Sequence, residues 1–231
     1  MSTEQLTLSV SLRDEATFSN YFTQENAFAV QALQTLAQGK GESSVYLWGK
    51  TGTGRSHLLQ AVCHQAQSDN LAASYLPLSE HVFLDPAMCE GLEAMDVICV
   101  DDIDAIARLA DWEEALFHLF NRVRAAQKHI VFAATAALQD NPIKLPDLRS
   151  RLAWGLTYQL KPLSDEEKLA ALNLRARNRG MNIPTEVSQF LFSRFSRDMN
   201  DLFVALDKLD QASLSEQRKI TIPFIKQVLG L

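Results

Sequence analysis

The sequence predicts an α/β fold: a parallel-sheet domain followed by a small all-helical domain. Three observations predict it. Short uninterrupted apolar runs, Val45–Trp48, Val97–Val100 and Ile130–Ala134, alternate with stretches of helical period, as in strands covered on both faces. The first run breaks into a glycine-rich turn and then a helix pattern. Beyond about residue 163 the apolar residues recur only at helical spacing.

Composition fits a globular chain. Of 231 residues 47% are hydrophobic and 22% charged, enough for a sizeable core. The formal net charge of -6 argues against a large phosphate-backbone footprint, because duplex binders carry a basic face. Cys63, Cys89 and Cys99 are scattered and form no Cys-x-x-Cys, so they read as reduced thiols of a cytoplasmic protein. No signal peptide and no apolar run of about 18 residues is present.

In chain order, residues 1–12 carry the alternating segment Gln5-Leu-Thr-Leu-Ser-Val10. It reads equally as a frayed end or edge strand and as an extended docking peptide. A helix is expected from about Asn26, with Phe28, Val30, Leu33 and Leu36 apolar, ending at Gly39-Lys-Gly41. The run at Val45 then leads into Gly49, Lys50, Thr51, Gly52, Thr53, Gly54, Arg55, Ser56 and His57. Strand, glycine turn and helix start are the context of a phosphate-binding loop: the glycines let successive N–H groups converge, and the helix adds its own unpaired N–H groups. The pattern calls for Lys where Arg55 stands.

Ser74–Pro77 is a short strand, and a helix is expected to start near Ser79. Val97–Val100 ends in Asp101 and Asp102. At the C-terminal edge of a parallel strand, beside such a loop, one carboxylate can hold Mg²⁺ and a second can orient water. The competing reading is a helix cap at Asp102 or Asp104. Trp112, Ala115, Leu116, Leu119, Phe120 and Val123 stripe a helix over Asp111–Ala126, with His118 off the stripe and solvated. Ile130–Ala134 and Thr157–Leu160 are the last strands. Between them Arg149 and Arg151 are either solvated or offered to a phosphate. Ser164 and Glu167 form a capping box, Gly180 stops that helix, Pro184 begins another, and Thr221 caps the last. No metal-ligand spacing surrounds His57 or His64.

Val45–Leu59, Ile98–Ile103, Asp111–Asn121, Leu148–Gly155 and the helical end resemble the AAA+ ATPases of the bacterial initiator DnaA, over residues 14–231. Within that family the chain is similar to the regulatory inactivators of DnaA. Its first residues look like a clamp-binding motif, and it ends at Leu231 without the initiators' helix-turn-helix domain. The resemblance implies an AAA+ P-loop domain over 13–162, a helical lid over 163–231 and a clamp-binding segment over 1–12.

Site roles follow from the resemblance alone. Gly49–Ser56 resembles the Walker A loop, with His57 following, and Asp101 and Asp102 resemble Walker B. Phe18, Phe22 and Asn26 lie in the segment implied to approach adenine. Arg151 is similar to the arginine finger that acts in trans on a neighbour's nucleotide. Gln5, Leu6 and Leu8 would dock on the sliding clamp, with Ser9 departing from the motif. Ala136 and Asn200 stand at the positions implied for the two γ-phosphate sensors and depart from them.

The implied ligand is therefore an adenine nucleotide, ADP in preference to ATP, with Mg²⁺ on Ser56 and Asp101 if it is bound. The implied partners are DnaA and the polymerase III beta sliding clamp, with DNA reached only indirectly and no membrane. A homo-oligomer is compatible. The implied function is negative regulation of replication initiation, by stimulating hydrolysis of DnaA-bound ATP. The alternative is a loader-type ATPase that turns over its own nucleotide.

Overall fold

The computed structural model describes residues 12–231. Gln5, Leu6 and Leu8 lie outside the described residues. Five strands, β1 (Ser44–Trp48), β2 (Ala73–Pro77), β3 (Val97–Asp101), β4 (His129–Ala134) and β5 (Leu156–Gln159), form one parallel sheet in the order β2-β3-β4-β1-β5. The strands read as solid apolar runs because helices cover both faces.

Alternation along each strand sorts the core. Val45, Leu47, Cys99, Val131 and Ala133 face α1 (Ala27–Ala37) and α2 (Arg55–Ser68), which bury Val30, Leu33, Leu58 and Val62 against them. Tyr46, Ile98, Val100 and Phe132 face the other way, onto Leu116, Leu119 and Phe120 of α3 (Ala110–Ala125) and Leu148 and Leu152 of α4 (Pro146–Leu152). The helix expected from Ser79 is a short 3₁₀ segment, Leu78–Phe83. Phe28 departs from the expected stripe: it is 79% exposed, and Ala29, Val30 and Leu33 provide the buried face of α1.

The second body contains α5 (Asp165–Asn178), α6 (Thr185–Arg194), α7 (Met199–Glu216) and α8 (Ile222–Leu229). Leu172, Leu191, Leu202, Leu206, Phe224 and Ile225 fill its core. Ser164 accepts from the Glu167 N–H while the Glu167 carboxylate accepts from the Ser164 N–H, so two otherwise orphaned donors at the start of α5 are satisfied. Thr221 caps α8 in the same way, accepting from Phe224. Among the described residues no helix is long and apolar enough to cross a membrane. The three cysteines are buried and free.

A strap, residues 13–26, ties the two bodies together. Arg13 lies on α2, donating its N–H to Gln60 Oε1 at 2.9 Å. Glu15 pairs with Arg175 of α5 and with Arg179 just past its end, and Arg179 also pairs with Asp207 of α7. Asn178 of α5 donates to Ser19 O and Asn20 Oδ1. Asn26 is 3% exposed and clasps Lys161, accepting from its N–H at 2.8 Å and donating to its carbonyl at 3.2 Å.

Candidate functional site

The loop between β1 and α2 lies at the C-terminal edge of the sheet, where ligands sit in parallel α/β folds. Gly49 donates to Ala134 O, so the loop starts hard against the end of β4. Thr53 closes the turn, its hydroxyl donating to Lys50 O at 2.8 Å. Gly54 sits at φ +87, and a Cβ there would stand 2.6 Å from the Tyr21 ring. Only glycine combines that left-handed backbone with so close a neighbour. Tyr21 donates to Thr53 O at 3.0 Å and so props the turn from behind. Its burial holds the phenol pKa well above the ordinary range.

The first turn of α2 leaves N–H groups with no carbonyl inside the helix, and these fall in Arg55, Ser56 and His57. The side chains of those residues go different ways. Arg55 is 8% exposed, and its Nη2 lies 3.3 Å from Asp102 Oδ1. Its Nη1 is buried without a hydrogen-bond partner. A buried guanidinium nitrogen left unmatched beside a ring of amides is a donor set for an anion, and phosphate fits it. His57 turns away from the loop: its Nε2 lies 2.8 Å from Thr17 O, and burial lowers its pKa. Its side chain fastens the strap, while its backbone remains in the first turn of α2.

Of the strap residues expected near adenine, Phe18 packs into the α1–α2 core and Phe22 into the lid core. Asn26 spends its side chain on Tyr21 and Lys161. Asn200 is exposed at the start of α7, its N–H held by Asp198. Its side chain makes no hydrogen bond to the loop.

The carboxylates beyond β3 are each committed. Asp101 is 1% exposed; its Oδ2 accepts from the Tyr75 hydroxyl at 2.7 Å and its Oδ1 from the Asp102 N–H at 3.0 Å. Asp102 has φ +52 and caps no helix with its side chain. Burial raises its pKa, and the neighbouring Asp101 charge adds to the rise while Arg55 opposes it. Asp104 accepts from both the N–H and the hydroxyl of Thr135, at 2.7 and 2.6 Å, and from Asn141 at 3.0 Å. Thus the polar side chain at the end of β4 is Thr135, one residue before Ala136. It is already bound to Asp104. Sequence reasoning missed Tyr21, Tyr75, Thr135 and Asn141, and weighed Asp104 only as a cap.

Arg151 occupies a different place. It lies in the last turn of α4, and Gly155 follows at the N-terminal edge of the sheet. A Cβ on Gly155 would overlap the carbonyl of Ser44, which starts β1, so no larger residue fits that junction. The loop begins at the other end of β1, about 16 Å of strand away. The Arg151 guanidinium carbon lies 5.2 Å from the Trp154 ring centre and 5.8 Å from that of Phe117, and Arg124 stacks on Trp154 at 3.4 Å. Arg151 Nε is buried with no hydrogen-bond partner.

The family model described as the bacterial DnaA ATPase domain matches residues 12–159, and that described as Hda, lid domain, matches residues 165–229. The chain belongs to the DnaA-related AAA+ family. Among solved structures, domain III of the Thermotoga maritima initiator DnaA superposes with TM-score 0.77 at 22% identity, covering 95% of this chain and 97% of that one. AMPPCP-bound DnaA from Aquifex aeolicus follows at TM-score 0.68 and 18% identity, over 87% of this chain and 66% of that one. The Thermotoga maritima Holliday-junction branch-migration motor RuvB is similar at TM-score 0.67 and 16% identity, over 95% of this chain and 72% of that one. These likenesses fix the AAA+ fold, and the lid match assigns the last four helices to its Hda type.

Proposed function

We propose that this chain is a negative regulator of replication initiation that binds an adenine nucleotide, ADP in preference to ATP, and acts on DnaA. Arg151 is the arginine finger. It stabilises charge developing on the ATP held by DnaA and drives DnaA to its inactive ADP form. Gln5, Leu6 and Leu8 tether the chain to the beta sliding clamp on DNA. Membership of the DnaA-related family supports the regulatory setting, and an Aquifex aeolicus relative in fold carries AMPPCP.

The observation that carries the reading is the placement of Arg151. It stands across the sheet from its own loop, so the phosphate it can reach belongs to another molecule. Its guanidinium is backed by two aromatic rings and has an unmatched Nε. At its own loop Arg55 is half spent on Asp102, while Nη1 and the first-turn amides remain to grip phosphate. That arrangement suits holding a nucleotide more than hydrolysing it, which disfavours the loader-type reading.

The test is hydrolysis of DnaA-bound ATP in the presence of clamp-loaded DNA. Arg151→Ala is expected to remove most of the stimulation, on the order of 10³-fold for a trans arginine, and to leave clamp co-elution intact. Stimulation that survives the substitution overturns the mechanism. Steady-state ATP turnover by the chain alone, abolished by Asp102→Ala, would establish the loader reading instead. Clamp co-elution after removal of residues 1–10 would dispose of the tether.

A further inference from the structure

Members of this fold class are expected to hold Mg²⁺ between the loop hydroxyl, here Ser56, and the carboxylate that ends β3, here Asp101. The donor set does not fit a tightly held cation. Mg²⁺ demands six oxygens at short range and gives up its waters reluctantly, so it needs a carboxylate with an accessible oxygen and room for water. Asp101 offers neither: it is 1% exposed, and each oxygen already accepts a hydrogen bond, from Tyr75 and from the Asp102 amide. Of the nearby alternatives, Asp102 pairs with Arg55 through Oδ1 alone, and Asp104 is taken up by Thr135 and Asn141.

We propose that this site binds its nucleotide without a tightly held divalent cation, and that Tyr75 is the positioning residue responsible. The inference rests on the nucleotide reading above and deepens it. β2 pairs with β3 so that Tyr75 lies opposite Cys99, two residues before Asp101, which carries the phenol to the carboxylate. The hydroxyl takes up one accepting position of Asp101 that would otherwise be open to a metal-bound water. The phosphate charge is met by fixed donors: the Arg55 guanidinium, with its unmatched Nη1, and the first-turn amides of α2. Replacing Lys by Arg serves the same end, since a planar fork provides several N–H donors where an ammonium is a point charge.

The experiment measures the affinity of ADP for the full chain by calorimetry, in magnesium chloride and in EDTA, for the natural sequence and for Tyr75→Phe. The natural chain is expected to show dissociation constants within about threefold of one another. Tyr75→Phe frees one Asp101 oxygen and opens space for a water, so its affinity should become about tenfold tighter with magnesium than without, equivalent to about 1.4 kcal/mol. A natural chain whose affinity falls tenfold or more on chelation overturns the proposal without any variant. Equal constants for Tyr75→Phe in the two media overturn the role of Tyr75. Failure to bind ADP in either medium overturns the nucleotide reading itself, and this proposal with it.

Discussion

The loop region holds a buried arginine and the α3–α4 face a half-buried one, and the fold treats the two differently. At the loop every carboxylate has been matched inside the molecule, and Arg55 is tied to one of them. On the α3–α4 face Arg151 has aromatic rings for neighbours and, among the described residues, no carboxylate partner. A guanidinium paired with a carboxylate has lost much of its field to that partner, whereas one laid on π-faces keeps its charge for an incoming anion. The contrast teaches that a P-loop fold can match the carboxylates around its loop internally while a guanidinium on the opposite edge of the sheet rests on aromatic rings.

Three changes bear on this contrast. The largest effect is expected beneath the Arg151 face. Glu113 is 2% exposed, and its carboxylate accepts from the N–H groups of Arg108, Lys144 and Leu145, which fixes the chain entering α4. Glu113→Gln keeps the volume but loses the charge and one accepting atom, so denaturant unfolding should show a loss of about 2–4 kcal/mol. If stability is unchanged, the face is not held by this carboxylate and Arg151 is less fixed than described.

Next comes the loop. Gly54→Ala forces a Cβ onto Tyr21 at positive φ, a strain of about 1–3 kcal/mol that should weaken ADP binding roughly tenfold or more. Stimulation of DnaA-bound ATP hydrolysis, measured with saturating nucleotide, should survive, because Arg151 is untouched. Loss of both together would merge the two regions into one site.

The smallest effect is a pH dependence at the strap. The His57 pKa lies below its ordinary value of 6.5, chiefly through burial. The folded state therefore prefers the neutral ring. That stability is complete above the ordinary value and is lost as pH falls through the lowered one. Thermal melts should show a decline on the acid side of 6.5 that His57→Gln flattens.

What the sequence revealed follows physical range. The strands, the loop and the Ser164–Glu167 capping box were legible because each depends on residues within a few positions of one another. Phe28 was misplaced because a helical stripe fixes a face only to within a turn, and α1 buries the small Ala29 beside it while the larger ring stays exposed. The carboxylate partners were not legible at all. Tyr75 reaches Asp101 across 26 positions and Thr135 reaches Asp104 across 31, distances that only strand order can close. The end of β4 at Ala134 was legible, but nothing in the sequence showed that the next residue, Thr135, is bound to Asp104. The unmatched Nε of Arg151 had no sequence signal, since it depends on what α3 and α4 leave uncovered.

The strap has one more consequence. It grips α2 through Thr17, the loop through Tyr21, the lid through Glu15 and Asn20, and the Lys161 crossover through Asn26. Tilting the lid while the loop stays still would strain or break these contacts. Coupling of this kind is reciprocal: whatever steadies the lid tightens the hold on phosphate, and a bound phosphate steadies the lid by the same factor. On the proposed reading, a nucleotide in the loop would act as a thermodynamic brace for the lid.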